Sequence, residues 1–295
     1  MEQRTIDLDI DYARAGLRHV GPAATLRTYI LDHDAANRGN RKRPFVIICP
    51  GGGYNHLSFR EGEPVAVKMN SFGYNAAILN YSLAPNRFPT QLLEAAAALR
   101  VVREYADEWH VDENRIIIMG FSAGAHVAGS LGTMWKDRVI TEVLGGRSAD
   151  YRPSLQCLCY PVITAGEYAH RGSFECLIGD DPALYDLVSL EKRVTSDTVP
   201  TFIWHTFADR TVPVENSLLM AAALRRHDVP CELHIFNRGK HGLALATEET
   251  NTADGLTIEP ECAVWPELFR AAIEPLGTGT VAQCGLILPS VAKLP

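Results

Sequence analysis

Short apolar runs and longer helical stretches alternate along this chain. Residues 5–9 alternate polar with apolar and predict a strand, and residues 26–31 predict a second, with Gly21-Pro22 turning between them. Residues 45–49 are apolar throughout, as a strand buried on both faces is, and they stop at Pro50-Gly51-Gly52-Gly53-Tyr54. Residues 63–72 have helical character and end at Gly73, and residues 75–81 predict a fourth strand closed by Ser82-Leu83-Ala84-Pro85. The strongest helix signal covers 90–108, where Leu93, Ala97 and Val101 recur at helical spacing within an Ala-rich stretch. Further strands are expected over 115–119, 155–160, 201–206 and 231–236, and further helices over 123–134, 215–227 and 265–273. Residues 162–198 carry no strong period, and Gly179-Asp180-Asp181-Pro182 marks them as an excursion over the strand ends.

Strands that alternate with helices need crossover connections. The expected fold is therefore α/β: a mostly parallel eight-stranded sheet with helices on both faces. One domain is expected over 1–276, with 162–198 as a small cover and 277–295 as a C-terminal tail. The tail opens on a Gly/Thr-rich linker, but its Leu286-Ile287-Leu288 is too apolar to be left in water. It is expected to dock on a surface groove of its own subunit or of a neighbouring one, with the neighbour, and so a homo-oligomer, favoured.

Composition narrows the partners. The 295 residues are 46% hydrophobic and 21% charged with a net charge of −7, which argues against nucleic acid and anionic membrane. No apolar run is long enough to span a bilayer, and the first ten residues do not read as a signal peptide. Seven cysteines without metal-ligand spacing read as reduced thiols of a cytoplasmic protein. The ten histidines form no ligand pair, so no metal or cofactor is implied.

The chemistry gathers around Gly120-Phe121-Ser122-Ala123-Gly124. A β-branched run leads into this Gly-x-Ser-x-Gly, and small residues able to start a helix follow it. Strand, tight turn and helix make a nucleophile elbow, in which Ser122 is lifted clear of the sheet at a helix N-terminus. A serine needs a base to take its proton and a carboxylate to orient that base. Asp209 follows the seventh expected strand and His241 the eighth, both at strand C-terminal ends, where such sheets place their ligands. Glu215 and Asp180 are reserve acids, and His126 and His205 read as structural. The glycines of Pro50-Gly51-Gly52-Gly53-Tyr54 and the amide of Ala123 are the candidate donors of an oxyanion hole.

At these residues the chain resembles the acetyl-xylan and feruloyl esterase branch of the α/β-hydrolases, related to the hormone-sensitive-lipase-like esterases. The resemblance rests on residues 49–54, 61–66, 79–85, 120–126, 200–217 and 239–243. It implies carboxylester hydrolysis with Ser122 as nucleophile, His241 as base and Asp209 as its orienter, and Gly52, Gly53 and Ala123 as oxyanion donors. Two departures stand out. Cys49 replaces a usual histidine that would brace the glycine loop, and Ala125 replaces a usual glycine.

A polar cover suits a sugar ester better than a long acyl chain, which needs an apolar tunnel. Tyr54, His56 and Phe59 follow the glycine loop and are expected either to stack on a sugar ring or to pack at the surface. The expected substrate is a small-molecule or oligosaccharide ester, with removal of acetyl-like groups. The alternatives are a general short-chain carboxylesterase, a lipase-like or arylformamidase-like hydrolase, or a non-catalytic receptor on the same fold.

Overall fold

Successive side chains of a strand point to opposite faces, so a strand apolar at every position must be covered twice. The computed structural model describes residues 1–34, 36, 39–179, 181–274 and 276; Asp180 and the tail lie outside the described residues. Its centre is β3 (Arg43–Cys49), buried along its whole length, beside β5 (Val111–Phe121). Phe45, Ile47, Ile116 and Ile118 pack into one core, while Val46, Ile48, Ile117 and Met119 pack into a second on the other face.

Around these lie β1 (Thr5–Asp7), β2 (Thr25–Tyr29), β4 (Asn75–Asn80), β6 (Leu155–Cys159), β7 (Thr201–Thr206) and β8 (Cys231–Phe236). The strand order is β1-β2-β4-β3-β5-β6-β7-β8. Pairing is antiparallel only from β1 to β2 and β2 to β4. From β3 the chain builds outward to β4 on one side and to β5 on the other. The loops after β3 and β5 therefore part at a crevice, the place where open α/β sheets bind ligands.

The helices are α1 (Glu63–Ser71), α2 (Thr90–Glu104), α3 (Ala123–Met134), α4 (Arg138–Leu144), α5 (Arg171–Ile178), α6 (Tyr185–Val188), α7 (Glu215–Arg226) and α8 (Trp265–Ile273). The first core takes Leu93 and Ala97 of α2 and Leu131 of α3. The second takes Val65 and Met69 of α1 and Phe269 and Ile273 of α8, with Trp204 stacked on Trp265 at 5.4 Å. Among the described residues no helix is long and apolar enough to cross a membrane.

Most element ends fall within two residues of expectation, and three larger differences stand out. α2 stops at Glu104 rather than 108, because the next turn folds back to bury Trp109 between Phe45 and Tyr105. β5 starts four residues early, since Val111 pairs with Arg43 across a register shift. The excursion over 162–198 contains α5 and α6, which are too short to show a period. Phe174, Leu177 and Ile178 of α5 nevertheless anchor it in the first core.

His126 of α3 fixes that excursion from below. Its Nε2 lies 2.7 Å from the Val188 carbonyl, an acceptor only, so Nε2–H donates and Nδ1 accepts the Tyr54 hydroxyl at 2.7 Å. The ring is therefore neutral. Burial pushes its pKa down to about 4, against the opposing effect of the Val188 carbonyl. The folded protein then binds fewer protons than the unfolded chain, whose histidine titrates near 6.5. This contribution is complete above that value and is lost as pH falls toward 4, by up to about 3 kcal/mol. Urea unfolding from pH 7 to pH 4.5 should show a shallower loss of stability in His126→Gln than in the parent. Identical pH slopes would exclude His126 as the titrating group.

Candidate active site

The turn between β5 and α3 holds Ser122 at φ 54°, ψ −119°, a conformation non-glycine residues avoid. Its neighbours show why the motif needs glycine. A Cβ on Gly120 would lie 2.1 Å from the Gly124 carbonyl oxygen, and one on Gly124 would lie 2.1 Å from that of Cys49. Ala125 is accommodated fully buried in the first core.

His241 reaches this turn from the loop after β8. Its Nε2 is 2.8 Å from Ser122 Oγ, and its Nδ1 is 2.6 Å from Asp209 Oδ2. Asp209 sits in the loop after β7, where Oδ1 accepts the amides of Thr211 and Val212 at 2.9 and 3.0 Å. Oδ2 takes a second histidine, His205 of β7, through Nε2 at 3.2 Å. That nitrogen also faces the Val212 carbonyl at 3.0 Å, so it carries the proton, and Nδ1 accepts from Ser217 Oγ at 2.8 Å. Burial works to raise the Asp209 carboxyl, but the hydrogen bonds and charges of His205 and His241 prevail and hold it well below the usual carboxylate range. Asp209 is thus an anion with its lone pairs committed. Glu215 opens α7 and makes no bond to His241 among the described residues.

The glycine loop after β3 faces Ser122. Gly52 and Gly53 have φ of 129° and 63°, and a Cβ on Gly52 would strike the His56 carbonyl oxygen at 2.1 Å. The Gly52 carbonyl is occupied by the amides of Asn55 and His56. Among the described residues, the amides of Gly52, Gly53 and Ala123 donate to no protein acceptor. Free N–H groups beside a nucleophile can stabilise charge developing on a carbonyl oxygen.

The bracing of this loop comes from residues that the pattern along the chain did not single out. Cys49 is an uncharged thiol in the core, its pKa pushed up by burial. Support comes instead from buried Glu61, whose Oε2 accepts the Gly51 amide at 2.8 Å, and from Tyr81, which donates to the Pro50 carbonyl at 2.6 Å. Glu61 Oε1 accepts the Tyr160 hydroxyl at 2.7 Å, and that hydroxyl accepts the Ala244 amide at 2.9 Å. The preceding Arg60 donates to the carbonyls of Gly242 and Thr250 at 3.0 and 2.9 Å. Two consecutive side chains therefore join the glycine loop to the loop that carries His241. Glu61 stands just before α1, and its place at the head of the 61–66 stretch that carries the resemblance was the one available signal.

A cavity of about 560 Å³ opens over Ser122 and His241, lined by Gly52, Gly53, His56, Arg60, His170 and Glu175 among others. His56 belongs to this lining, but two of the expected sugar contacts do not. Tyr54 is 1% exposed, because its hydroxyl is drawn inward to His126, so it cannot stack on a substrate. Phe59 is 72% exposed and stands outside the lining, since Glu61 takes the buried side of the same turn.

Asp209→Asn keeps the shape of the carboxylate but favours the wrong tautomer of His241. It should lose on the order of 10⁴ in kcat on p-nitrophenyl acetate, with Glu215→Gln close to the parent. An active Asp209→Asn beside an inactive Glu215→Gln would reassign the acid.

The BD-FAE family model matches residues 31–224. The chain is 38% identical to the endo-1,4-beta-xylanase B of Butyrivibrio fibrisolvens over 219 residues, which are 70% of this chain and 34% of that protein. It is 31% identical to the acetylxylan esterase of Xylanibacter ruminicola over 210 residues, 68% of this chain and 41% of that one. The chain thus spans about a third to two fifths of the length of these relatives. Among solved structures, the acetyl ester-xyloside bifunctional hydrolase of Caldicellulosiruptor lactoaceticus superposes with a TM-score of 0.73 at 39% identity, covering 90% of this chain and 96% of that one. A carboxylesterase of Lactobacillus plantarum superposes with a TM-score of 0.76 at 30% identity, covering 94% and 97%. The elbow, the sheet order and these matches agree, and the chain belongs to the BD-FAE family of α/β-hydrolases.

Proposed function

We propose that this chain is a serine carboxylester hydrolase that removes acetyl-sized acyl groups from carbohydrate esters through Ser122, His241 and Asp209. The observation that carries the reading is the continuous chain of hydrogen bonds from Ser122 Oγ through His241 to Asp209, set at the crevice of the sheet. Ser122 Oγ attacks the ester carbonyl while its proton passes to His241 Nε2. The carbonyl π pair moves onto oxygen, which faces the amides of Gly52, Gly53 and Ala123. As the C–O bond to the alcohol breaks, His241 returns the proton to the leaving oxygen. Water then repeats the sequence on the acyl-enzyme and frees Ser122.

The polar side chains that His56, Arg60, His170 and Glu175 bring to the cavity support a hydroxyl-bearing alcohol part, and the similarity to an acetylxylan esterase and an acetyl ester-xyloside hydrolase supports a sugar. The six described cysteines are free thiols, which supports a reducing, cytoplasmic setting.

Ser122→Ala should fold normally and lose about 10⁴- to 10⁶-fold in kcat, because the nucleophile is gone while the oxyanion donors remain. A fluorophosphonate probe should label Ser122 in the parent and nothing in the variant. Equal activity in the two proteins would end the esterase reading. On p-nitrophenyl esters, kcat/KM should peak between acetate and butyrate, since each further methylene gains at most ~0.8 kcal/mol and only where it is buried. A maximum at octanoate or beyond would favour a lipase-like enzyme with an apolar tunnel.

A further inference from the structure

The cavity holds a second histidine that the proposed reaction does not use. His170 immediately precedes α5, and its Nδ1 lies 2.8 Å from Oγ of Ser173, one turn into the helix and wholly buried. This bond fixes the ring. A Cβ built on Gly53 would stand 3.7 Å from Ser173 Oγ and 4.0 Å from His170 Cε1, so the pair rests directly against the glycine loop. The half-buried imidazole lines the same cavity as Ser122 and His241, and among the described residues its Nε2 has no protein partner. Burial, and then the neighbouring charge of His241, lower its pKa, while Asp209 and Glu175 oppose them. The ring is therefore neutral near pH 7.

A neutral imidazole pinned at Nδ1 offers one group to the cavity. If Ser173 donates, Nε2–H is a donor; if Ser173 accepts, Nε2 is an acceptor. A hydroxyl satisfies either state, because it donates and accepts. The acyl side of the ester provides no such group. An acetyl has one polar atom, its carbonyl oxygen, and the amides of the glycine loop take that. The matching hydroxyl must then belong to the alcohol part, close to the esterified oxygen.

We propose that His170, oriented by Ser173, determines specificity by binding a free hydroxyl next to the acylated one, so that partly acylated sugars are preferred over simple alkyl or aryl esters. This rests on the assignment of Ser122 as nucleophile. A buried polar group left unpaired lowers binding in the transition state, which is how a hydroxyl-reading site rejects an analogue that lacks it.

The test compares three esters: a methyl xyloside monoacetate with a free hydroxyl beside the ester, its deoxy counterpart without that hydroxyl, and p-nitrophenyl acetate. The parent should favour the hydroxyl-bearing acetate over the deoxy form by roughly 10- to 100-fold in kcat/KM. His170→Phe should bring that ratio close to one, with no further loss on the deoxy ester, as expected when substrate and residue share one interaction. His170→Gln should restore part of the ratio, and Ser173→Ala should lower it by releasing the ring. A parent that does not discriminate, or a His170→Phe that keeps the parent ratio, overturns the inference. The deoxy comparison on the unaltered protein decides the matter even if the phenylalanine variant does not fold. Failure of the triad reading looks different: Ser122→Ala would then still hydrolyse all three esters.

Discussion

The whole site hangs on how closely α3 approaches the end of β3. Gly124 lies so near the carbonyls of Cys49 and Pro50 that one methyl group would force them apart, and Gly120 is pressed against Gly124 in the same way. This contact brings the start of α3 up to the glycine loop, so that a serine at the turn meets free amides from both sides. The positive φ of Ser122 is the strain that follows. The twofold-buried β3 and β5 supply the rigidity that keeps such a conformation in place.

Electrostatics are settled one layer further out. Asp209 is surrounded by donors: two histidines and two backbone amides. A buried carboxylate so bound cannot easily take a proton or rotate, and its position dictates which nitrogen of His241 faces Ser122. The Val212 carbonyl fixes the tautomer of His205, and Ser217 supports the arrangement at one remove by donating its hydroxyl to the Nδ1 left free. The geometry at Ser122 thus leans on an α7 hydroxyl four bonds of the network away.

Much of this was legible in the chain, for identifiable reasons. Residues 45–49 and 116–119 of the central strands are apolar throughout, and Gly-x-Ser-x-Gly, the Asp209 loop and the His241 loop fall at the ends of β5, β7 and β8. Local patterns of that kind survive without three-dimensional information. What could not be read involves partners distant in sequence. Nothing local tells that Tyr54 turns inward to a histidine on α3, or that Glu61 supports a loop ten residues earlier. The excursion was expected, but its helices α5 and α6 escaped for a different reason: one or two turns present too few apolar positions to reveal a period. His205 lies between these cases, since burial inside β7 was expected of it but its bond to Asp209 was not.

Arg60 and Glu61 are adjacent, yet one is committed to the loop of His241 and the other to the loop of Gly51. Their separation from Gly51 is therefore fixed in number as well as in kind. One residue inserted or removed between 53 and 59 would rotate both side chains out of phase together, and no single substitution could repair the two attachments. The stretch from 51 to 61 looks like a surface loop free to vary in length, but it behaves as a spacer of defined count. The shape of the cavity on this side can therefore be altered by exchanging side chains along its rim, but not by lengthening it.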